Sequence, residues 1–356
     1  MSNTDRIRLI DLLFFFVKIM TMMNNTHKYV FGVIGMLLLV VVLFLLDVSC
    51  GTVWLSPVQW LDFLWGNEPS NSVLMDIFYK IRLPKAITAI LAGGALSVCG
   101  LLMQTLFRNP LVGPYTLGIS SGASLGVALL TMCGTLFSVS FFNSQWSVIM
   151  VAISGAFAVL VVILLIANHI HSNVSLLIVG MMIGSLVSAL VNVIQNFANP
   201  DSLKIFTLWS FGSLSHVGWV ELRYLLIIIA CCAVGLLFLI KPLNGLLLGE
   251  DVAHSLGISI RVVQRWIILI TCVLAGVITA FCGPIAFIGV AVPHLVRGFF
   301  QTSNHRITLP FSFLFGGGLL LICDIINSSL TYPLPISTLS AIIGTPIIIW
   351  VIVKNF

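Results

Sequence analysis

Ten apolar stretches follow one another along this chain, at about residues 30–47, 86–107, 114–134, 147–168, 174–197, 220–240, 262–282, 285–300, 308–330 and 338–354. Most are long enough for a helix to cross the roughly 30 Å of bilayer hydrocarbon. This pattern excludes nearly every soluble fold. Only 8% of the residues are charged and 59% are hydrophobic, whereas a water-facing domain needs about 25% charge to cover its surface. Lipid must be the solvent. An isolated segment in lipid satisfies its backbone hydrogen bonds only as a helix, so the expectation is an all-α polytopic membrane protein with about ten transmembrane helices. The stretch at 285–300 is short and is expected to be tilted or partly re-entrant.

The chain divides into an N-terminal cytoplasmic or interfacial segment, residues 1–29, and a transmembrane domain, residues 30–356. Within the first, residues 9–23 are apolar but broken by Asp11 and Lys18. They read as an interfacial helix, or as sequence upstream of a later start at Met20, Met22 or Met23, rather than as a cleaved signal.

Charge placement gives the orientation. With the N-terminus inside and ten spans, the inner side holds Arg6, Arg8, Lys18, Lys28, Arg108, Lys241, Arg261, Arg265, Arg297, Arg306 and Lys354. The outer side holds Lys80, Arg82, Lys85, Lys204 and Arg223. Most acids fall outside. The excess of inner basic residues predicts that both termini are cytoplasmic, and the membrane expected is the cell's inner, cytoplasmic membrane. The small formal net charge of +5 gives no reason to expect nucleic-acid binding.

Two connecting segments stand out. An outer loop at 48–82 carries Trp54, Trp60 and Trp65, as an interfacial segment would. The inner loop 244–261, Asn-Gly-Leu-Leu-Leu-Gly-Glu-Asp-Val-Ala-His-Ser-Leu-Gly-Ile-Ser-Ile-Arg, is the sizeable polar segment on the cytoplasmic side. Its Leu and Ala positions form an apolar face on two short helices, with Gly249 and Gly257 as breakers. It reads as a docking element for a soluble partner or as a plain solvated connection. The outer segment 199–219 reads as a short helix followed by a Gly-Ser turn.

A shift of 183 residues aligns Leu91-Ala92-Gly93 with Leu274-Ala275-Gly276, Cys99-Gly100 with Cys282-Gly283, and Pro110 with Pro293. It also pairs Arg82 with Arg265 and Thr88 with Thr271. An odd number of spans separates the aligned helices, so the two halves are expected to be inverted, a habit of transporters.

Several chemistries can be weighed. No Gly-Lys pair exists, so the chain has no phosphate-binding P-loop of its own. The eight cysteines lie mostly in apolar runs without C-x-x-C pairing and read as small hydrophobic filler. His169-x-His171 alone has metal-like spacing, at a helix end, and a metal role is not expected. Between residues 86 and 197, Arg108 at a helix boundary is the sole charged residue. Ion-coupled carriers keep acids in their spans, and here Asp324 is the main acid near one, so energy is expected from a partner. A solitary channel or ion-coupled carrier is the competing reading. Gly118, Gly122 and Gly126, with Gly180 and Gly184, set small residues on one face and read as sites of close helix packing.

An ordered set of motifs resembles the FecCD-type permeases, which import iron–siderophore complexes, haem and vitamin B12. The set begins with Arg82-Leu83-Pro84-Lys85. Gly100-x3-Gln104 follows, with Arg108-Asn109-Pro110-Leu111-Val112-Gly113-Pro114 and Leu117-Gly118. Next comes Leu248-Gly249-Glu250-Asp251-x-Ala253-x-Ser255-Leu256-Gly257. The set closes with Gly283-Pro284-Ile285-x-Phe287-Ile288-Gly289, Pro293-His294-x-x-Arg297, Asn304-His305-Arg306, Asp324 and Gly344-x-Pro346.

The resemblance implies a type II ABC importer permease fold with an inverted repeat, working as a homodimer. Two ATP-binding subunits, carrying ATP and Mg, would sit below, and a substrate-binding protein above. This chain would be no enzyme and hold no cofactor. By the same resemblance, residues 248–257 match the segment that seats in the ATPase, and Arg82 and Lys85 match basic positions that receive acids of the binding protein. Gln104, Asn109, Pro110, Gly118, Gly122, Gly283, Pro284 and Pro293 would line the path or pack helices. The implied cargo is an iron chelate, a siderophore or haem, with cobalamin as the alternative. The sequence departs from the family after Asp324: Ile325-Ile326-Asn327-Ser328 and Pro333-Leu334-Pro335-Ile336-Ser337 stand where an arginine and E-L-P-x-G are common.

Overall fold

A computed structural model describes residues 25–51, 53–56, 72–133, 145–170 and 172–355. The described residues are helical, with no strand among them. Residues 1–24, Trp60, Trp65 and His171 lie outside the described residues.

Helix α1 is Asn25–Ser49. A helical lead, Ser72–Ile77, and a π-turn, Phe78–Arg82, run without interruption into α2, Leu83–Phe107. Helix α3, Ile119–Ala128, ends in a second π-turn, Leu129–Cys133. Then come α4, Gln145–Ala167; α5, Asn173–Asn196; α6, Pro200–Ser210; and α7, Trp219–Leu247. The second half has α8, Glu250–Ser255; α9, Ile260–Cys282; α10, Ile288–Phe300; α11, His305–Ser329; and α12, Ile336–Asn355. Among the described residues, seven helices are long and apolar enough to cross a membrane, and three shorter apolar helices lie at 119–132, 288–300 and 336–349. Together these match the ten apolar runs.

Helix α2 is the centre of the bundle. Of its most apolar window 83% is buried, against 17% for the window in α7. Small residues make this possible. Gly93 of α2 meets the Gly316 backbone of α11, and Gly100 meets the Gly289 carbonyl of α10. With no hydrophobic force between helices in lipid, close backbone approach and dispersion hold them together. The Gly118–Gly126 stretch packs as the sequence implies: Gly122 meets Gly155 and Gly126 meets Val151, both on α4, while Gly118 lies against Gly184 of α5.

The inverted repeat is present in the order of elements. Each half runs as a long helix, an irregular link, a short helix and two more helices: α2–α5 and α9–α12. Arg108, at the end of α2, reaches Leu246, at the end of α7, so these two helices run parallel. The α8 hairpin then turns α9 antiparallel to both. The fixed shift of 183 does not survive: the short helices begin at Ile119 and Ile288. The link after α2 is longer than that after α9, which changes the register.

Two other expectations need correcting. The inner segment 244–261 holds one short helix rather than two, because α7 continues to Leu247. Residues 72–82 belong to the helix and not to the preceding loop. The segment 199–219 is a short helix ending in a turn at Gly212, φ 73°, as its sequence implies.

Candidate functional site

Two regions carry the polar chemistry, one at each end of the bundle. The first is the protrusion between α7 and α9. Gly249 adopts φ 118° and Gly257 φ 78°, conformations that side chains disfavour, and they bracket α8 with sharp turns. Glu250 and Asp251 occupy the first turn of α8, where acids suit the partial positive charge of a helix N-terminus. Ala253 is fully buried and anchors α8, and its carbonyl accepts the Ile258 N–H at 3.0 Å. Around this anchor Leu248, Val252 and Leu256 project into the open, with Leu248 64% and Leu256 62% exposed. Ser255 Oγ donates to the Asp251 carbonyl at 2.9 Å and is otherwise exposed. A short bracketed helix with exposed leucines at its tip has the form of a protein-docking element. It is also wired to the bundle: Asn173 Nδ2, at the start of α5, donates to Glu250 Oε1 at 2.8 Å.

The second region lies at the opposite end, where α1, α2 and α11 meet. The Arg82 guanidinium donates to the Val48 and Ser49 carbonyls, both at 3.0 Å, and to Val53 O. It caps the C-terminus of α1, whose last carbonyls otherwise lack donors. The π-turn aims it there: Pro84 has no N–H to continue the α ladder, and the Leu83 N–H bonds back to the Phe78 carbonyl.

One turn on, Lys85 Nζ lies 2.9 Å from Asp324 Oδ1 and donates to Ser328 Oγ at 3.0 Å. Lys85 is thus the charged partner of Asp324 inside the bundle. Asp324 is fully buried, and Asp47, 5% exposed, is within electrostatic reach of Asp324, Lys85 and Arg82. Two acids and two bases therefore share one closed site. Arg82 and Lys85, which the family pattern gives to the binding protein, are turned inward here and already satisfied within the chain. Residues at the departure from the family pattern have local tasks. Ser328 accepts from Lys85, Asn327 Oδ1 accepts the Leu334 N–H at 2.8 Å, and Ser337 Oγ donates to the Phe211 carbonyl at 2.8 Å.

The remaining sequence candidates hold the breaks between helices. Gln104 is buried, donates to the Val290 carbonyl at 3.2 Å and accepts from Arg297 Nη1 at 3.1 Å. Asn109 Oδ1 accepts the Leu111 N–H at 2.9 Å, closing the turn after α2. The Pro110 carbonyl lies 2.7 Å from His294 Nε2 on α10. Gly283, φ 74°, ends α9 against Trp209 and Gly212, with Pro284 following, and Pro293 is buried inside α10. These contacts join and pack the helices around them.

Sequence reasoning did not find three residues of these networks: Asn173, Asp47 and Asn244. Asn244 Oδ1 accepts the His305 N–H at 2.8 Å and lies 2.9 Å from His305 Nδ1, tying α7 to α11. A lone Asn or Asp near a helix end gives no periodic signal, so none pointed to them. The segment Gly118-Ile119-Ser120-Ser121-Gly122 fits the Gly-x-Ser-x-Gly pattern of serine hydrolases. The serine at the pattern's central position is Ser120, in the first turn of α3, and among the described residues no strand precedes it; the neighbouring Ser121 pairs with Ser188 Oγ at 3.0 Å.

An all-helical bundle of spanning and half-length helices, with a short exposed helix between α7 and α9, has the architecture of a membrane permease. The chain belongs to the FecCD transport family, whose model matches residues 38–354. It is 36% identical over 324 residues to the hemin transport system permease protein HmuU of Yersinia pestis, covering 90% of this chain and 94% of that one. It is 33% identical over 340 residues to the vitamin B12 import system permease protein BtuC of Vibrio parahaemolyticus, covering 94% and 97%. A solved structure, described as an inward-facing conformation of a metal-chelate type ABC transporter, superposes with a TM-score of 0.80 at 28% identity. That match covers 90% of this chain and 98% of the other.

Proposed function

We propose that this protein is the homodimeric permease of an ATP-driven, binding-protein-dependent importer for an iron chelate, haem or a siderophore. The relatives HmuU and the metal-chelate transporter support that cargo, and BtuC keeps cobalamin as the alternative. The observation that carries the reading is the α8 knob, with its buried Ala253 anchor and exposed Leu248 and Leu256. ATP and Mg reside on two partner subunits that receive this knob, and both termini face the cytoplasm.

Motion enters through Glu250 and Asn173, which link the knob to α5, so a push on α8 moves a second helix. At the far end a binding protein docks over the α1–α2–α11 junction. Arg82 and Lys85 shape that surface from beneath, and Lys80 lies exposed beside it in an ion pair with Asp76.

The test is uptake into proteoliposomes holding the chain with its ATPase and binding protein, offered haem, a ferric siderophore and cobalamin in parallel. ATP-dependent uptake of one ligand, abolished by Leu248→Asp with Leu256→Asp, is the expected result. Uptake without ATP or partners would leave a solitary carrier instead. Asn173→Ala should leave the ATPase bound but weaken coupling by about 1 kcal/mol, about fivefold less transport per ATP hydrolysed. Parallel assays of hydrolysis and uptake check this, and an unchanged ratio would rule out the link.

A further inference from the structure

A cavity of about 310 Å³ opens at the α8 end of the bundle, beside the knob but separate from it. Its walls include Gln104, Thr105, Arg108, Leu246, Arg297 and Ser303. Two guanidiniums thus face one space, and no carboxylate lines it. Among the described residues neither arginine belongs to an ion pair, the pairs being Lys80–Asp76 and Lys85–Asp324.

The protein satisfies these cations only in part. Arg108 reaches the Leu246 carbonyl at 3.3 Å, a long bond. Arg297 gives Nη1 to Gln104, while its Nε is buried with no acceptor. Arg297 is partly buried and Arg108 stands exposed at the mouth; a partly buried cation without a counter-charge is costly, and a guanidinium fork favours an oxyanion that can accept several N–H groups at once. The volume is at the small end of ligand pockets. The cavity lies at the ends of α2 and α7, the level at which phospholipid headgroups meet a spanning helix. Basic pockets between membrane helices at the cytoplasmic face are known receptors for such groups.

We infer that this cavity is a binding site for a phosphate-type oxyanion, held between Arg108 and Arg297. The phosphate can come from an anionic phospholipid headgroup or from free inorganic phosphate. Through Gln104, which also grips the Val290 carbonyl at the start of α10, an occupant would stiffen the joint between α2 and the half-length helix.

The full chain, purified in detergent, is titrated with radiolabelled inorganic phosphate by equilibrium dialysis. Separately it is titrated with phosphatidylglycerol by native mass spectrometry, with diacylglycerol, which carries no phosphate, and zwitterionic phosphatidylcholine as controls. Saturable binding of phosphate or of phosphatidylglycerol is expected, and the arm that saturates names the source. Arg297→Gln should weaken it about tenfold, the worth of one charge-assisted hydrogen bond. Ser303→Asp keeps both arginines but sets a competing carboxylate at the exposed rim, and should weaken binding as well. Arg265→Gln, an exposed cation at the same end, should change nothing. If neither probe saturates, or both cavity variants bind as wild type does, the inference falls and the guanidiniums answer to a partner's carboxylate.

Discussion

Lys85→Met is expected to be the most damaging single change at the α1–α2–α11 junction, lowering stability by about 3–5 kcal/mol, the usual loss when one partner of a buried ion pair is removed. Lys85 is the ion-pair partner of Asp324, and Asp47 lies close by. Without the ammonium, two buried carboxyls face each other with only Arg82 near, and Arg82 is committed to the carbonyls of α1. Asp324→Ala should cost less, since Asp47 remains to balance Lys85. The double variant Lys85→Met with Asp324→Leu should recover most of the loss, because two apolar side chains need no counter-charge. Thermal unfolding of the detergent-solubilised chain, followed by the monodisperse fraction, checks the order. A double variant no better than Lys85→Met would show that the pair is not the reason Lys85 matters.

Gly100→Val is the second large effect. A Cβ at Gly100 would collide with the Gly289 carbonyl, and that backbone cannot swing aside as a side chain can. Overpacking of a core typically costs about 1–3 kcal/mol, and a clash with backbone lies at the upper end or beyond. Here the clash falls on the first turn of α10, so α2 and α10 should separate and the chain should fail to accumulate in the membrane. Gly298→Val is the control, since nothing lies within 4 Å of its would-be Cβ. Comparable membrane levels of the two variants would mean that the α2–α10 contact is looser than the geometry states.

The division between sequence and structure is clearest at particular residues. The apolar runs were legible because lipid demands long uninterrupted apolar helices, and this demand is local. The breaks at Gly249 and Gly257 were legible for a similar reason, though the second short helix expected beside them is the end of α7. At Arg82 and Lys85 this local reading ran out. From the sequence they lie in a basic patch at an outer helix end, free to meet a partner. Their real neighbours, Val48, Ser49 and Asp324, come from α1 and α11, and Asp324 is more than two hundred residues away from Lys85 in sequence.

The sequence by itself determined that this chain is a helical membrane permease, where its spans fall, which segment protrudes, and which family its motifs match. Helix formation in lipid, turn chemistry and charge bias act over a few residues, so they can be read in order along the chain. Only the tertiary structure decided which charges are free and which are consumed, that α2 is central while α7 is peripheral, and that Arg108 and Arg297 face one cavity. Those facts depend on which distant glycines let two backbones touch, and contact between distant segments leaves no periodic trace in either one.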